Sequence, residues 1–425
     1  MKLWFWLLLS MLVSGITSLY MYRVLEPWND YIGAHGGGLK AQLWDLYPRW
    51  VGTRELFLHG RNPYSPEVSH EIQMAYYGHI LTQDYRDTGH KIIDEQRFAY
   101  PVYIVFLMAP LINVDFAKVQ HWAPAALALL AALIVPLSLD ILRWRLPWTV
   151  LAAITLFTIS SPQIVQGMHH QQLSIVVGLC LVAGAWCVSR NYLFCAGAVL
   201  AWSTIKPQMA LFPLCFFLVW VLGNWPKRWK LLASFLAALT LLMGAGEIVL
   251  PGWIGYFLEG ASAYRRYFPT TSLLRMALGD SAGEILGGFI LAALLFLAWR
   301  NRKEPADSPQ FTNVFAAFLI GTVLVFPLFT PFNQVLLILP AMLILQDWKA
   351  LPKLAHIAFI AFVSWPWIIS SLLLIVPPQF DPPNERPLLP LLLVSFFPLL
   401  LPVLLLTRQS HLIAPQALTV DSHVS

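Results

Sequence analysis

Residues 43–64 read LWDLYPRWVGTRELFLHGRNPY and stand between a first apolar run that ends near Tyr20 and a second series that resumes at Tyr100. The stretch opens with one carboxylate, Asp45, continues through an aromatic and cationic run, and closes on a Gly-Arg-Asn-Pro-Tyr turn. A carboxylate at a membrane boundary is costly to half-desolvate unless it is used or paired. Asp45 is therefore read as a working residue.

Working outward, composition sets the class. Hydrophobic residues make up 58% of 425 and charged residues 12%, and the mean hydropathy is +0.64, well beyond a soluble globular chain. The formal charge of +5 does not point to nucleic acid, because the cations fall in short clusters between apolar runs, where they report orientation in a membrane. Cys180, Cys187, Cys195 and Cys215 lie in or beside apolar spans without metal-type pairing and read as small core residues.

The chain divides into a first transmembrane helix over 1–20, an extracytoplasmic loop over 21–97, a multi-helix membrane domain over 98–407 and a cytoplasmic tail over 408–425. The loop is ordered rather than a linker, with short helices predicted over 49–59 and 67–81 and prolines as punctuation. Its Gly-rich patch over 33–40 lacks the Gly-Lys-Ser/Thr ending of a phosphate loop and reads as a lid or linker. Cationic links at 143–145, 190, 227–230, 300–303, 349–353 and 408 fall at every second connection between the apolar runs. Taken as cytoplasmic, they predict about twelve spans with both termini inside. A partly embedded helix is predicted over 101–112 and a second sizeable outer loop over 251–282. Asp45, the turn over 167–172, the Lys206-Pro207-Gln208 break, Arg265 with Arg266, and Phe332-Asn333-Gln334 then share the non-cytoplasmic side.

In that order the motifs resemble a known family. Asp45 after the first helix, the Asn62-Pro63-Tyr64 turn, Tyr100-Pro101 reopening the membrane domain, the Gly- and Gln-bearing turn over 167–172, Lys206-Pro207-Gln208, and Asn333-Gln334-Val335-Leu336-Leu337 together look like bacterial glycosyltransferase family 87. One stretch departs from the family: Gly167-Met168-His169-His170-Gln171-Gln172-Leu173-Ser174 stands where members show Gly-Gln followed directly by a small residue and leucines. Either glutamine could correspond, and the two histidines have no family counterpart.

The resemblance implies an all-α polytopic membrane protein, a GT-C type bundle of about 12 transmembrane helices in a bacterial inner membrane. It implies transfer of a sugar, mannose for preference, from a polyprenyl-phosphate donor to a glycolipid or polysaccharide acceptor at the outer face. Nucleotide sugars are cytoplasmic, so an outward site needs a lipid-anchored donor. Asp45 matches the family's general base. The departing lipid phosphate needs positive charge or hydrogen-bond donors more than an acid, for which Lys206, Arg265, Arg266, His169 and His170 are candidates. Tyr47, Arg49, Tyr64, Gln171, Gln172, Gln208, Asn333 and Gln334 are candidates for the sugar or acceptor, and a single displacement would invert the anomeric centre. No metal and no cofactor are expected.

Alternatives compete with each assignment. Glu55, Glu67, Glu71, Asp84, Asp87, Asp94 and Glu95 share the outer loop with Asp45. Lys206 could snorkel to headgroups, Arg265 and Arg266 could hold anionic lipids, and Glu247 is expected to pair with a cation or hydrogen-bond inside the bundle. A transporter or flippase of lipid-linked sugars is the rival function. Against it stand the absence of an internal repeat and the one-sided polar clustering.

Overall fold

A computed structural model describes residues 3–27, 43–81, 96–267, 271–327, 330–375, 398 and 400–405. The Gly-rich patch, four of the rival carboxylates (Asp84, Asp87, Asp94 and Glu95) and the expected last span over 388–407, apart from a few residues, lie outside them. Among the described residues all regular structure is helical.

Helix α1, Leu3–Tyr20, runs on into a π-helical turn, Met21–Leu25. Two short helices follow, α2 (Tyr47–His59) and α3 (Pro66–Tyr77). Each has proline in its first turn, where the missing N–H costs nothing, and each ends on glycine in the left-handed region, Gly60 at φ 65° and Gly78 at φ 71°. Between them the Asn62 side chain accepts from the Tyr64 N–H at 2.9 Å and Ser65 caps α3 through the Val68 N–H, so the Asn-Pro-Tyr motif is an Asx turn leading into an N-cap.

The membrane domain begins with α4 (Ile104–Met108) and α5 (Phe116–Ile141). Then come α6 (Trp148–Ile159) and α7 (Pro162–His169), which meet at 60°. Pro162 forces Ser161 into extended backbone at ψ 142°, which breaks the helix. The buried Thr17 hydroxyl donates to the Ser160 carbonyl at 3.0 Å, pinning α1 to this corner. Helices α8 (Ser174–Ser189), α9 (Leu193–Trp202), α10 (Pro207–Leu222) and α11 (Trp225–Val249) follow. Helices α9 and α11 pack at Gly197, where any Cβ would run into Ser234 Oγ and the Leu231 carbonyl.

The expected loop over 251–282 is instead largely helical: α12 (Trp253–Tyr267) and α13 (Leu273–Leu278), with α14 (Asp280–Arg300) starting inside it. Glu259, Ser262, Asp280 and Ser281 are exposed on these helices, and a hydropathy reading takes such polar positions for loop. Glu247 is likewise exposed and accepts from the Gly252 N–H at 2.7 Å, so it closes a turn after α11 rather than bonding inside the bundle. The chain ends with α15 (Pro309–Val325), a 3-10 stretch Pro331–Leu337, α16 (Ile338–Gln346) and α17 (Lys353–Ile375).

Five helices are long and apolar enough to cross a membrane, or six if the bent α6–α7 pair counts as one. The other apolar helices have only 10–17 residues, and 17 residues rise about 26 Å against a hydrocarbon layer of about 30 Å. Among the described residues the expected spans thus have helical counterparts, while a count of twelve crossings does not follow from helix length.

The links sort to two ends. At one end Arg143 pairs with Asp307 at 2.5 Å, Arg190 pairs with Asp140 at 2.5 Å, Gln346 donates to the Leu142 carbonyl, and buried Arg228 donates to the carbonyls of Trp220, Arg302 and Glu304. At the other end gather the Asp45 segment, the histidine turn, the Lys206 link and the 3-10 stretch that carry the candidate site.

Candidate active site

Lys206 sits in the single-residue link between a 3-10 turn, Ser203–Ile205, and α10, outside both. It is buried. Its ammonium donates to Ser174 Oγ at 2.6 Å, Asn333 Oδ1 at 3.2 Å and Gln172 Oε1 at 3.3 Å, and lies 5.1 Å from the Phe332 ring centroid. Three acceptors match the three N–H bonds of an ammonium. Ser174 also donates to Asn333 Oδ1 at 2.8 Å, so the beginning of α8 and the 3-10 stretch are joined beside the amine. Burial pulls the Lys206 pKa down to about 7; the Asp45 carboxylate raises it and the Arg49 guanidinium lowers it further. A snorkelling lysine would keep its head in water, so the buried amine does not fit that alternative.

Asp45 is half-buried just before α2. Its charge reaches Lys206, and also Tyr100, whose pKa is raised chiefly by burial and further by Asp45. Arg49, one turn on, donates to the Asp45 carbonyl and lies 4.3 Å over the Tyr100 ring. Trp44 is buried against both histidines, with ring centroids 4.5 Å from His169 and 4.8 Å from His170, the latter stacked at 15°. The Trp44 carbonyl accepts from buried Tyr76 at 2.9 Å. The Asp45 segment, the histidine turn, the lysine link and the asparagine stretch therefore converge.

The turn after α7 is tight. Gln171 holds φ 53°, a conformation rare for a side-chain-bearing residue and favoured at functional sites. Its amide donates to the Gln120 carbonyl at 3.2 Å, while its Oε1 is buried with no hydrogen-bond partner among the described residues. Gln334 is also buried, and neither of its amide atoms has a partner among those residues. Each such group costs about 1–3 kcal/mol unless a ligand meets it. Gly167 permits the approach of Phe332, whose Cβ would lie 3.3 Å from an added methyl.

Other candidates stand apart from this convergence. The Tyr47 ring packs on Trp50, Tyr76 and Phe116, and burial raises its pKa first of all. The Tyr64 hydroxyl donates to the Tyr100 carbonyl at 2.5 Å. Tyr103 in turn donates to the Thr204 carbonyl at 3.0 Å, so these tyrosines brace the Asp45 segment and the lysine link from behind. Gln208 is exposed on the first turn of α10. Arg265 and Arg266 lie at the end of α12, and their side chains are outside the described ones.

Two rival carboxylates are already engaged. Arg61 bridges buried Glu55 at 2.7 Å and Glu71 at 2.5 Å, while Glu67 occupies the exposed first turn of α3. One residue that the sequence reading missed joins the site: Glu26, just beyond the π-helical turn, lies 3.0 Å from His169 Nε2. The signal available was a carboxylate one turn past an apolar run. Among the described residues no group of three or more His, Cys, Asp or Glu gathers as a metal site.

Fold and site together define an all-helical, multi-pass membrane protein in which a buried amine, held by three neutral acceptors, lies within the electrostatic reach of a half-buried carboxylate. The family model for glycosyltransferase family 87 matches residues 98–331, just over half of the chain. The chain belongs to that family and is a membrane glycosyltransferase. The match includes the histidine turn and Lys206 but stops short of Glu26, Asp45 and Asn333. No curated protein and no solved structure matches the chain.

Proposed function

We propose that the protein transfers a sugar, mannose by family resemblance, from a polyprenyl-phosphate donor to a glycolipid or polysaccharide acceptor. The site faces the outside of a bacterial inner membrane, both termini lie in the cytoplasm, and the chain crosses about twelve times. The observation that supports this reading best is the buried Lys206 amine, held by Ser174, Asn333 and Gln172 where the Asp45 segment and the histidine turn converge.

In the proposed step the acceptor oxygen attacks the anomeric carbon and its proton passes to the Asp45 carboxylate. The bond between the anomeric carbon and the phosphate oxygen breaks, and its electron pair leaves on the phosphate. Lys206, His169 and His170 stabilise that anion, with Arg265 and Arg266 toward the lipid. Gln171, Gln172, Asn333 and Gln334 take sugar hydroxyls. One displacement inverts the anomeric centre, and the two-carboxylate retaining arrangement is not used.

The test is transfer of radiolabelled mannose from polyprenyl-phosphate mannose to lipid extract by the purified protein and by Asp45→Asn, with the fold of each checked by thermal unfolding. A loss of about 10²–10⁴-fold in a folded variant is expected for removal of a general base. Equal activity in both chains removes Asp45 from the mechanism, and inactivity of the unaltered protein rejects the donor or acceptor.

A further inference from the structure

A second polar cavity lies at the far end of α5 from the candidate active site. Helix α5 has 26 residues and rises about 39 Å, so the two sites are separated by roughly the thickness of a bilayer. The cavity has a volume of about 430 Å³ and lies among the end of α5, the link over 142–147, the start of α6 and the end of α8. Arg143, Arg145 and Arg190 form its polar rim, and Leu139, Ile141 and Leu151 belong to its apolar wall.

The lining carries three arginines and one carboxylate, Asp140, on which both Arg190 and Arg145 act. Asp140, the acidic residue of the lining, is engaged: Arg190 grips both its oxygens and Trp186 Nε1 donates to it at 2.6 Å. Arg143 reaches outward to exposed Asp307. Among the described residues Arg145 makes no hydrogen bond or ion pair. Helix α6 begins beside it without a side-chain cap, so the helix dipole adds positive potential to the same space.

We propose that this cavity binds the phosphate headgroup of an anionic phospholipid. Arg145 holds the phosphate, Arg143 and Arg190, each paired with a carboxylate, add positive potential at the rim, and the apolar wall takes the first methylenes of the acyl chains. The lining favours a lipid over a soluble phosphate because it is cationic at the rim and hydrocarbon within. The exposed Trp148 at the start of α6 fits the interfacial level at which such headgroups lie. The assignment is independent of the transfer reaction.

The full-length protein, purified in neutral detergent, would be titrated with phosphatidylglycerol, phosphatidylcholine and sn-glycerol 3-phosphate, with retained lipid read by native mass spectrometry and stability by thermal shift. The variants are Arg145→Glu, the milder Arg145→Gln, and Arg300→Glu as an exposed control for net charge. Phosphatidylglycerol should be retained preferentially by the unaltered protein. Retention should fall about tenfold in Arg145→Glu, fall less in Arg145→Gln, and stay unchanged in Arg300→Glu. Equal retention of the two phospholipids, equal loss in Arg145→Glu and Arg300→Glu, or full stabilisation by glycerol phosphate alone would each overturn the assignment.

Discussion

Replacing Lys206 with methionine should separate stability from activity. The unfolded chain carries this amine with its ordinary pKa of 10.5, whereas in the folded chain burial brings it to about 7. Between those values the unfolded state binds more protons, so this group makes stability rise with pH. From pH 7 to pH 9 the gain is about 2.3 kcal/mol, worked from about 1.4 kcal/mol per pKa unit with the amine half-protonated at the lower limit. The thioether of Lys206→Met cannot titrate, and Ser174 remains bonded to Asn333 at 2.8 Å. Reversible unfolding in mixed micelles at both pH values, for both chains, reads the difference directly. The unaltered protein should gain about 2 kcal/mol more than Lys206→Met over this interval, while Lys206→Met loses transfer. Equal pH slopes would refute the view that the amine is held desolvated. The same shift predicts that donor phosphate, which favours the ammonium, binds up to about tenfold more weakly for each pH unit above 7.

Three further outcomes are expected. Gln334→Leu should leave stability equal or raise it by about 1–3 kcal/mol, since it removes buried unmet polar atoms, yet lower the rate of sugar transfer; apparent melting and turnover measured on one preparation check both. Glu26→Gln should reduce kcat several-fold and alter its pH profile through His169, with partial rescue by Glu26→Asp, whereas a purely packing role would leave that profile unchanged. Gly197→Ala must push α9 away from the Leu231 carbonyl and Ser234, and should cost about 1–3 kcal/mol by overpacking, read as a lowered melting temperature.

Local features carry much of the fold. Pro48, Pro66, Gly60 and Gly78 delimit α2 and α3, so both helices are found over most of the residues that their sequence predicts. The alternation of cationic links is legible in the charge pattern itself, and in the fold separate links of that set meet, Arg143 with Asp307 and Arg228 with the Arg302 carbonyl. That alternation brings Asp45, His169, Lys206 and Asn333 to one end before any distance is known. Partners across the chain are not legible. Glu26 turns toward His169 through a π-helical turn that shifts helix phase, and the hydrophobic pattern does not encode that shift. Glu55 and Glu71 resemble Asp45 as carboxylates in the string, and their common contact with Arg61 appears only in the fold. Helices α12 and α13 escape a hydropathy reading because both are short and polar positions such as Glu259, Ser262 and Arg275 interrupt their apolar runs.

The three acceptors of Lys206 also set an order of events during synthesis. Gln172 and Ser174 precede the lysine by 34 and 32 residues, but Asn333 follows it by 127. At about 5–20 residues per second, the nascent chain spends roughly 6–25 s with the lysine made and its last partner still to come. During that interval the amine either waits in the translocation channel or enters the bilayer incompletely solvated. A chain cut before Asn333 remains in that condition permanently, which marks it as unfinished for the membrane's quality-control proteases.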